Sequence, residues 1–428
     1  MNVLLTVAQW LADNLFGQPA ILLGLVALVG LIAQGKSFND IVLGTVKTIA
    51  GFLILVTGSN VLVAALNNFQ PIIQQAFGIT TPTTAGGAMG LDQFMATYSG
   101  QAALVMTVGF LINVILARVT RAKYIYLTGH LMFWVALTMI AVVKEVFPNA
   151  SMALTVLFPA VVCGVYWTLQ PALMQPYMRR IMGNDNVAYG HTSAFGSWVG
   201  AVVGGRIGNP EHSTEKVTIP NTISFMKDVT VSTSLTIGLV AVIAALFAGR
   251  EFVSEMAGGM NYIIYALLEG LKFGAGTAVL LQGVRMILAE IVPAFRGIAT
   301  KIVPNAKPAL DCPIIFPYAP MAVIIGFLSA FVTFIVLMLI FGATGWAVII
   351  PPMIALFFPG GAAGVFGNST GGVRGAIFGG AFMGFLLAVG QAICAKMLGT
   401  TAPELAIMAD PDWYILVLIF KPLLKLFA

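Results

Sequence analysis

Ten stretches of about 20 mostly apolar residues, each long enough to cross the hydrocarbon core of a bilayer, leave this chain few other folds. They fall near 18–34, 42–66, 100–118, 125–146, 152–170, 231–250, 265–291, 320–342, 371–395 and 411–427. A shorter apolar piece, 345–358, is a further candidate crossing, which gives ten or eleven in all. Only 9% of residues are charged, against about a quarter in a soluble domain. The sequence is therefore read as an all-α polytopic membrane protein. Its 46 glycines suit helices that pack backbone to backbone.

A pI near 9.1 is no nucleic-acid signal here, because the basic residues sit between the apolar stretches. Lys36, then Arg118, Arg121 and Lys123, then Arg179, Arg180, Arg206, Lys216 and Lys227, then Arg296, Lys301 and Lys307 all follow odd-numbered spans. The stretch 67–100 carries no Lys or Arg. The positive-inside rule puts the basic loops in the cytoplasm and the N-terminus outside. Lys421 and Lys425 join that side only if 345–358 also crosses. The first 15 residues have no basic n-region and no cleavage site, so no removable signal peptide is expected. Cys163, Cys312 and Cys394 are too few and too widely spaced for a disulfide framework or a metal cluster. Metal and cofactor are both expected to be absent. There is no P-loop and no arginine ladder, which excludes an ATPase of the chain's own and a voltage sensor.

One stretch breaks the apolar pattern with chemistry. Ala309-Leu310-Asp311-Cys312-Pro313-Ile314-Ile315-Phe316-Pro317-Tyr318-Ala319-Pro320 sets a lone carboxylate in an apolar run and follows it with three prolines. Proline removes a donor and clashes with the preceding turn, so no continuous helix is possible there. Broken backbone at membrane depth persists only where protein or a polar cavity surrounds it. An acid beside such a break is a candidate site. Two of the three histidines sit at similar places: His130 in Leu127-Thr128-Gly129-His130, and His191 after Gly190, in a segment read as a re-entrant half-helix. His212 is read as a solvated loop residue. Thr80-Thr81-Pro82-Thr83-Thr84 forms a polar tip able to hydrogen-bond a polyol or sugar acid. Gly58-Ser59-Asn60 and Gly283-Val284-Arg285 interrupt long helices and suit close crossings. Glu269 and Lys272, and Arg285 and Glu290, are read as structural charges that pair with each other or with a neighbouring helix.

The halves repeat. Gly58 matches Gly283 (283 − 58 = 225), Asp92 matches Asp311 (311 − 92 = 219), and His130 matches Ser369 (369 − 130 = 239). An odd five spans per unit inverts the second copy. Repeat one is placed at about 18–206 and repeat two at about 231–427, with the substrate site at the repeat interface as in many transporters.

Several motifs resemble one family. Leu127-Thr128-Gly129-His130, Gly190-His191, Gln282-Gly283-Val284-Arg285-Met286, Leu310-Asp311-Cys312, and Ala319-Pro320 through Gly326 occur in its order and spacing. Gly44-Thr45 to Thr48 and Gly51-Phe52 to Gly58-Ser59 fit as well. Together they resemble the ascorbate-specific membrane subunit (EIIC) of the bacterial phosphoenolpyruvate-dependent sugar phosphotransferase system, over nearly the whole chain. The resemblance implies a homodimer in the inner membrane. Each protomer would have about eleven spans, divided between a scaffold (V-motif) and a moving core with re-entrant segments, working as an elevator. It implies a separate soluble EIIB as phosphoryl donor. It implies substrate contacts at Thr83, Thr84, His130, Trp134, His191, Thr192 and Asp311, with Ser59 added, and catalytic parts for Asp311 and His191. Trp134 and Thr192 stand where ascorbate permeases often carry glutamine. The aromatic face suits stacking on a ring. An ion-coupled secondary transporter, with Asp311 carrying a proton, is the alternative reading.

Overall fold

The computed structural model describes residues 6–7, 10–11, 14–15, 18–79, 90–217 and 221–428. The elements used below are α1 (Pro19–Ala33), α2 (Phe38–Ala76), α3 (Leu91–Val119), β1 (Tyr124–Tyr126), α4 (Gly129–Val146), α5 (Met152–Met182), β2 (Ala188–Tyr189), α6 (Ala194–Ile207), α7 (Val229–Ala248), α8 (Arg250–Met256), α9 (Tyr262–Lys301), β3 (Lys307–Leu310), α10 (Pro320–Thr344), α11 (Met353–Met397), α12 (Glu404–Met408) and α13 (Pro411–Lys425). Among the described residues, eight helices are long and apolar enough to cross a membrane: α2, α3, α4, α5, α7, α9, α10 and α11.

Polar side chains start several of these helices. Ser37 accepts from the Asp40 N–H, Ser151 from Leu154, Asp228 from Val231, and Asn261 from Ile263 and Ile264. Each satisfies an amide that the helix itself leaves unpaired. α5 runs through Pro159, Pro171 and Pro176 and stops at Gly183, whose φ of 70° is left-handed.

Two groups of helices pack by different seams. α1, α2, α7 and α9 pack together. A Cβ on Gly58 would meet the Leu280 amide at 2.2 Å, and one on Gly283 the Leu55 amide at 2.3 Å. These glycines therefore serve close crossing of α2 and α9, as their sequence setting suggests. Glu269 pairs with Lys272 at 2.7 Å, whereas Glu290 finds Lys47 at 3.5 Å. The second group contains α3 to α6 and α10 to α13. Its densest seam is α6, α10 and α11, where Gly200 meets Gly379, Gly204 meets Gly371 and Gly375, and Gly326 meets Gly360, Gly364 and Gly380.

α11 is not one crossing. Gly372 has φ 59° and ψ −146° inside it, and Gly367 lies against Gly375 while Ala363 lies against Gly379. The residues 353–371 and 373–397 therefore fold back on each other as a helical hairpin. The window expected at 371–395 is its second limb. The ambiguous 345–358 divides into an irregular stretch and the start of the first limb.

The Asp311 stretch avoids a continuous helix, as its prolines require. It runs as β3, then a 3-10 turn Cys312–Tyr318, then α10. Ala309, Cys312, Ile314 and Ile315 are buried, so it is no solvated loop. β3 is the centre of a three-stranded parallel sheet ordered β1-β3-β2. Tyr126 pairs with Ala309, and Tyr189 with Leu310. Side-chain amides meet both outer edges. On β1, the Asn113 amide donates to the Tyr124 carbonyl at 3.0 Å and its oxygen accepts from the Tyr126 N–H at 3.0 Å. On β2, Gln170 donates to the Tyr189 carbonyl and Gln175 to the Val187 carbonyl, both at 3.1 Å. These three side chains thereby pair carbonyls on both outer edges and one N–H of β1.

At the sheet's N-terminal end the basic ends of α3, α5 and α9 gather. The Lys307 N–H donates to the Lys123 carbonyl, and the Lys307 Nζ meets Asp185 at 2.5 Å, with Arg179 at 3.8 Å. Burial works against the Asp185 carboxylate. The hydrogen bonds from Lys307 and Gln175 outweigh it and hold the carboxyl below its usual range. Lys421 is not a free loop cation: it is buried, and it pairs with Glu145 at 3.3 Å and donates to the Met397 carbonyl.

Two substitutions test this architecture. Gly372→Ala forces a side chain into a left-handed backbone, where a Cβ would also meet the His212 and Asn209 carbonyls. It is expected to lower the unfolding temperature in detergent sharply, while Gly342→Ala, with nothing within 4 Å, leaves it unchanged. Asn113→Leu strands one N–H and one C=O of β1, each costing about 1–3 kcal/mol. Its melting temperature is expected to fall well below that of Leu111→Ala, a surface change on the same helix.

Candidate functional site

The parallel sheet sets the site. His130 comes just after β1, His191 just after β2, and Asp311 directly after β3, so all three leave the same end of the sheet. Backbone bonds continue the ladder past the strands: Leu127 N–H to the Ala309 carbonyl at 3.0 Å, and Gly190 N–H to the Leu310 carbonyl at 2.7 Å. The Thr128 hydroxyl donates to the Gly190 carbonyl at 2.6 Å, which ties the two histidine turns together. A Cβ on Gly190 would strike the Ala309 carbonyl at 2.7 Å, so only glycine lets that turn lie against β3.

One carboxylate joins both imidazoles. His130 Nε2 lies 3.6 Å from Asp311 Oδ2, and His191 Nε2 lies 3.6 Å from Asp311 Oδ1. Asp311 also caps its own 3-10 turn by accepting from the Cys312 N–H at 2.6 Å. His191 is buried, and its Nδ1 lies 2.9 Å from the Ser193 hydroxyl, which is 2.7 Å from the Tyr189 hydroxyl. With the ring neutral and its Nδ1 accepting from Ser193, the Ser193 hydroxyl in turn accepts from Tyr189. The Nε2 proton of the neutral ring then points at the carboxylates, where a bare lone pair would be repelled.

A second acid completes the cluster. Asp410 Oδ2 lies 3.7 Å from His191 Nε2 and accepts from the Thr192 hydroxyl at 2.5 Å. Behind it, Asp412 accepts from Tyr166 at 2.7 Å and caps α6 through the Ala194 and Phe195 amides at 3.1 and 3.0 Å. The Asp412 N–H donates to the Thr192 carbonyl at 2.9 Å. The loop before α13 is thus fastened to the loop before α6.

His130, His191, Asp311 and Asp410 face a cavity of about 650 Å³. His130, Trp134, His191, Asp311, Asp410 and Trp413 form one wall, and α2 supplies the other with Ser59, Asn60, Asn67 and Gln70. Trp134 and Trp413 stack at 6.1 Å and 24°. Of the residues expected at the site, His130, Trp134, His191, Asp311 and Ser59 all line the cavity. Thr192 does not; it is fully buried and acts on Asp410 instead. Thr83 and Thr84 lie outside the described residues. His212 is exposed in a 3-10 turn. Sequence reasoning missed Asp410, Asp412 and Trp413. Their signal was Asp410-Pro411-Asp412-Trp413, two acids and a proline opening an apolar run, the same kind of break as at Asp311.

His191, Asp311 and Cys312 bring one ligand atom each to within 4.8 Å of one another, the spacing an ion needs. Cys312 is buried and its thiol would have to ionise beside a carboxylate, so the donor set fits a metal poorly.

The sequence matches, over residues 14–412, the family described as PTS system sugar-specific permease component, EIIC-GAT. It is also 27% identical over 431 residues to the protein named ascorbate-specific PTS system EIIC component from Mycoplasma pneumoniae (strain ATCC 29342 / M129 / Subtype 1). That match covers 87% of this chain and 64% of the relative's own length.

The cluster makes a direct prediction about positioning. Ser193→Ala removes the partner of Nδ1 without touching either carboxylate. The ring ¹⁵N chemical shifts, which report tautomer and hydrogen bonding, are expected to move for His191 and to hold for His130.

Proposed function

The chain belongs to the EIIC-GAT family of sugar-specific permease components of the phosphotransferase system, and on that premise we propose that it carries L-ascorbate or a related sugar acid or polyol inward, to be phosphorylated by a separate EIIB. It is a multi-pass protein of the bacterial inner membrane. The observation that carries the proposal is the meeting of His130, His191 and Asp311 on one cavity large enough for a small sugar. Substrate hydroxyls donate to Asp311, and the imidazoles donate to substrate oxygens. Ser59 and Trp134 contact the ligand from the cavity walls, and Thr83 and Thr84 remain candidate contacts.

Phosphoryl transfer needs an acceptor oxygen held in line with the donor, with charge stabilised around it. The EIIB phosphocysteine supplies the group; the S–P bond breaks as the O–P bond forms. The acceptor's proton passes to Asp311, and His191, its Nε2–H turned to that carboxylate, orients it. Those two residues are the proposed catalytic pair.

An elevator is consistent with how the cavity is divided. The two histidines and two acids facing it come from the start of α4 and from the turns before α6, the Cys312–Tyr318 turn and α13, while α2 offers only neutral polar and apolar side chains. A core that slides along such a wall breaks no ion pair. The scaffold is taken as α1, α2, α7 and α9, and a homodimer of some eleven-span protomers built from two inverted repeats is part of the same proposal.

Uptake by proteoliposomes supplied with phosphoenolpyruvate and the soluble partner proteins tests it. Asp311→Asn is expected to cut phosphorylation-coupled uptake at least about 10²-fold, the scale of losing a positioned acid–base group. Undiminished uptake would remove Asp311 from the mechanism. Uptake that ignores phosphoenolpyruvate and collapses with a protonophore would favour the ion-coupled alternative.

A further inference from the structure

We propose that a second cavity, at the outer face of the protein, seats the headgroup of an anionic phospholipid, with Lys396, Lys421 and Lys425 around its phosphate. The inference does not depend on which substrate the transport site takes.

The position of this cavity follows from α3 and α4. α3 crosses the membrane and ends at Arg118, among the basic loops. Its first turns lie at the opposite face. There Lys144, in the last turn of α4, stands over the Tyr98 ring of α3 at 5.8 Å. The next residue, Glu145, pairs with Lys421 at 3.3 Å and accepts from the Thr401 hydroxyl at 2.8 Å. The end of α13 therefore lies on the side away from Arg118. The positive-inside rule gathers lysines at the other face, so it does not account for three of them here.

The cavity measures about 550 Å³ and lies between the turn after α10, the end of α11 and the end of α13. Trp346, Ile393 and Pro422 supply apolar lining, and the three lysines supply the charge. Lys396 donates to the Trp346 carbonyl at 3.0 Å and lies 6.0 Å from that ring. Lys421 and Lys425 are one turn apart on α13 and share a face. Glu145 offsets Lys421 alone. Among the described residues no acid pairs with Lys396 or Lys425, so three lysines less one carboxylate leave a net +2.

Ammonium groups bind phosphate as point charges, and basic pockets between membrane helices seat anionic headgroups. The surroundings suit a lipid better than a free ion. Trp346 packs edge-on against Phe341 at 4.3 Å, an amphipathic ring of the kind found at headgroup level. Val348, Ile419 and Leu423, close in sequence to the lining residues, are exposed and offer apolar surface to acyl chains. The consequence reaches the transport cavity through α13, whose 15 residues extend about 22 Å. Its start carries Asp412, with Asp410 just before it, and its end carries Lys425. A headgroup shared by Lys396 and Lys425 draws the ends of α11 and α13 together and braces that helix.

Native mass spectrometry of the full-length protein tests the site, with phosphatidylglycerol and phosphatidylcholine of the same acyl chains as probes. The first phosphatidylglycerol is expected to bind at least about tenfold more tightly than phosphatidylcholine. Replacing the two exposed lysines together, Lys396→Gln with Lys425→Gln, is expected to cut that preference at least about fivefold. Arg296→Gln with Lys301→Gln, at the basic face, is expected to leave most of it. Equal binding of the two lipids by wild type overturns the proposal even where a variant fails to fold. A preference unchanged in the folded Lys396/Lys425 variant, or abolished by the Arg296/Lys301 variant, overturns it as well. Inorganic phosphate titrated by calorimetry is expected not to bind at the site. Saturable phosphate binding that the Lys396/Lys425 variant loses would mark a free-anion site and overturn the lipid assignment. None of these outcomes bears on the transport reading, which stands or falls with Asp311.

Discussion

Hydrogen bonding of three short strands inside a membrane protein is the constraint on which this molecule turns. A parallel sheet of three strands has two outer edges, and lipid offers no partner for either. Asn113, Gln170 and Gln175 supply those partners from α3 and α5. With these edges met, irregular backbone can run through the interior. Strands too short to be stable alone then deliver three candidate site residues to one place. Soluble α/β proteins also bind ligands beyond the carboxyl ends of parallel strands. Here the same geometry is reached with only two to four residues per strand.

The rest of the packing serves that arrangement. Glycine seams between α2 and α9, and among α6, α10 and α11, bring backbones close enough that side chains are excluded from the contacts. One seam braces the neutral wall of the cavity and the other the charged wall. On the charged side, Asp412 caps α6, accepts from Tyr166 and donates its N–H to the Thr192 carbonyl. Asp410, two residues earlier, is thereby fixed against His191.

Much of this was legible in the sequence, for physical reasons. Apolar windows mark helices in lipid because length and composition are dictated by the bilayer. Asp311 stood out because prolines forbid a helix around it, and His130 and His191 because each follows a glycine at a break. Gly58 and Gly283 were readable as crossings. The strands were not: two to four residues carry no periodicity. The hairpin at Gly372 hid in an unbroken small and apolar run, since a left-handed glycine leaves no compositional mark. Asp410 and Asp412 were masked by the long apolar stretch they precede. Thr192 was placed at the ligand, whereas its hydroxyl serves Asp410, a partner 218 positions away that no local pattern reveals.

The central claim is that a β1-β3-β2 sheet with side-chain amides on both edges assembles the ligand site. A side-chain-resolution cryomicroscopy map of the protein in lipid nanodiscs with saturating L-ascorbate or a hexitol tests it most directly. The account predicts ligand density in the cavity, within hydrogen-bond reach of the Asp311 carboxylate and of the imidazoles of His130 and His191, with Asn113 on the free edge of β1. Ligand density elsewhere, or the two imidazoles parted from Asp311 on opposite sides of the protein, would contradict it.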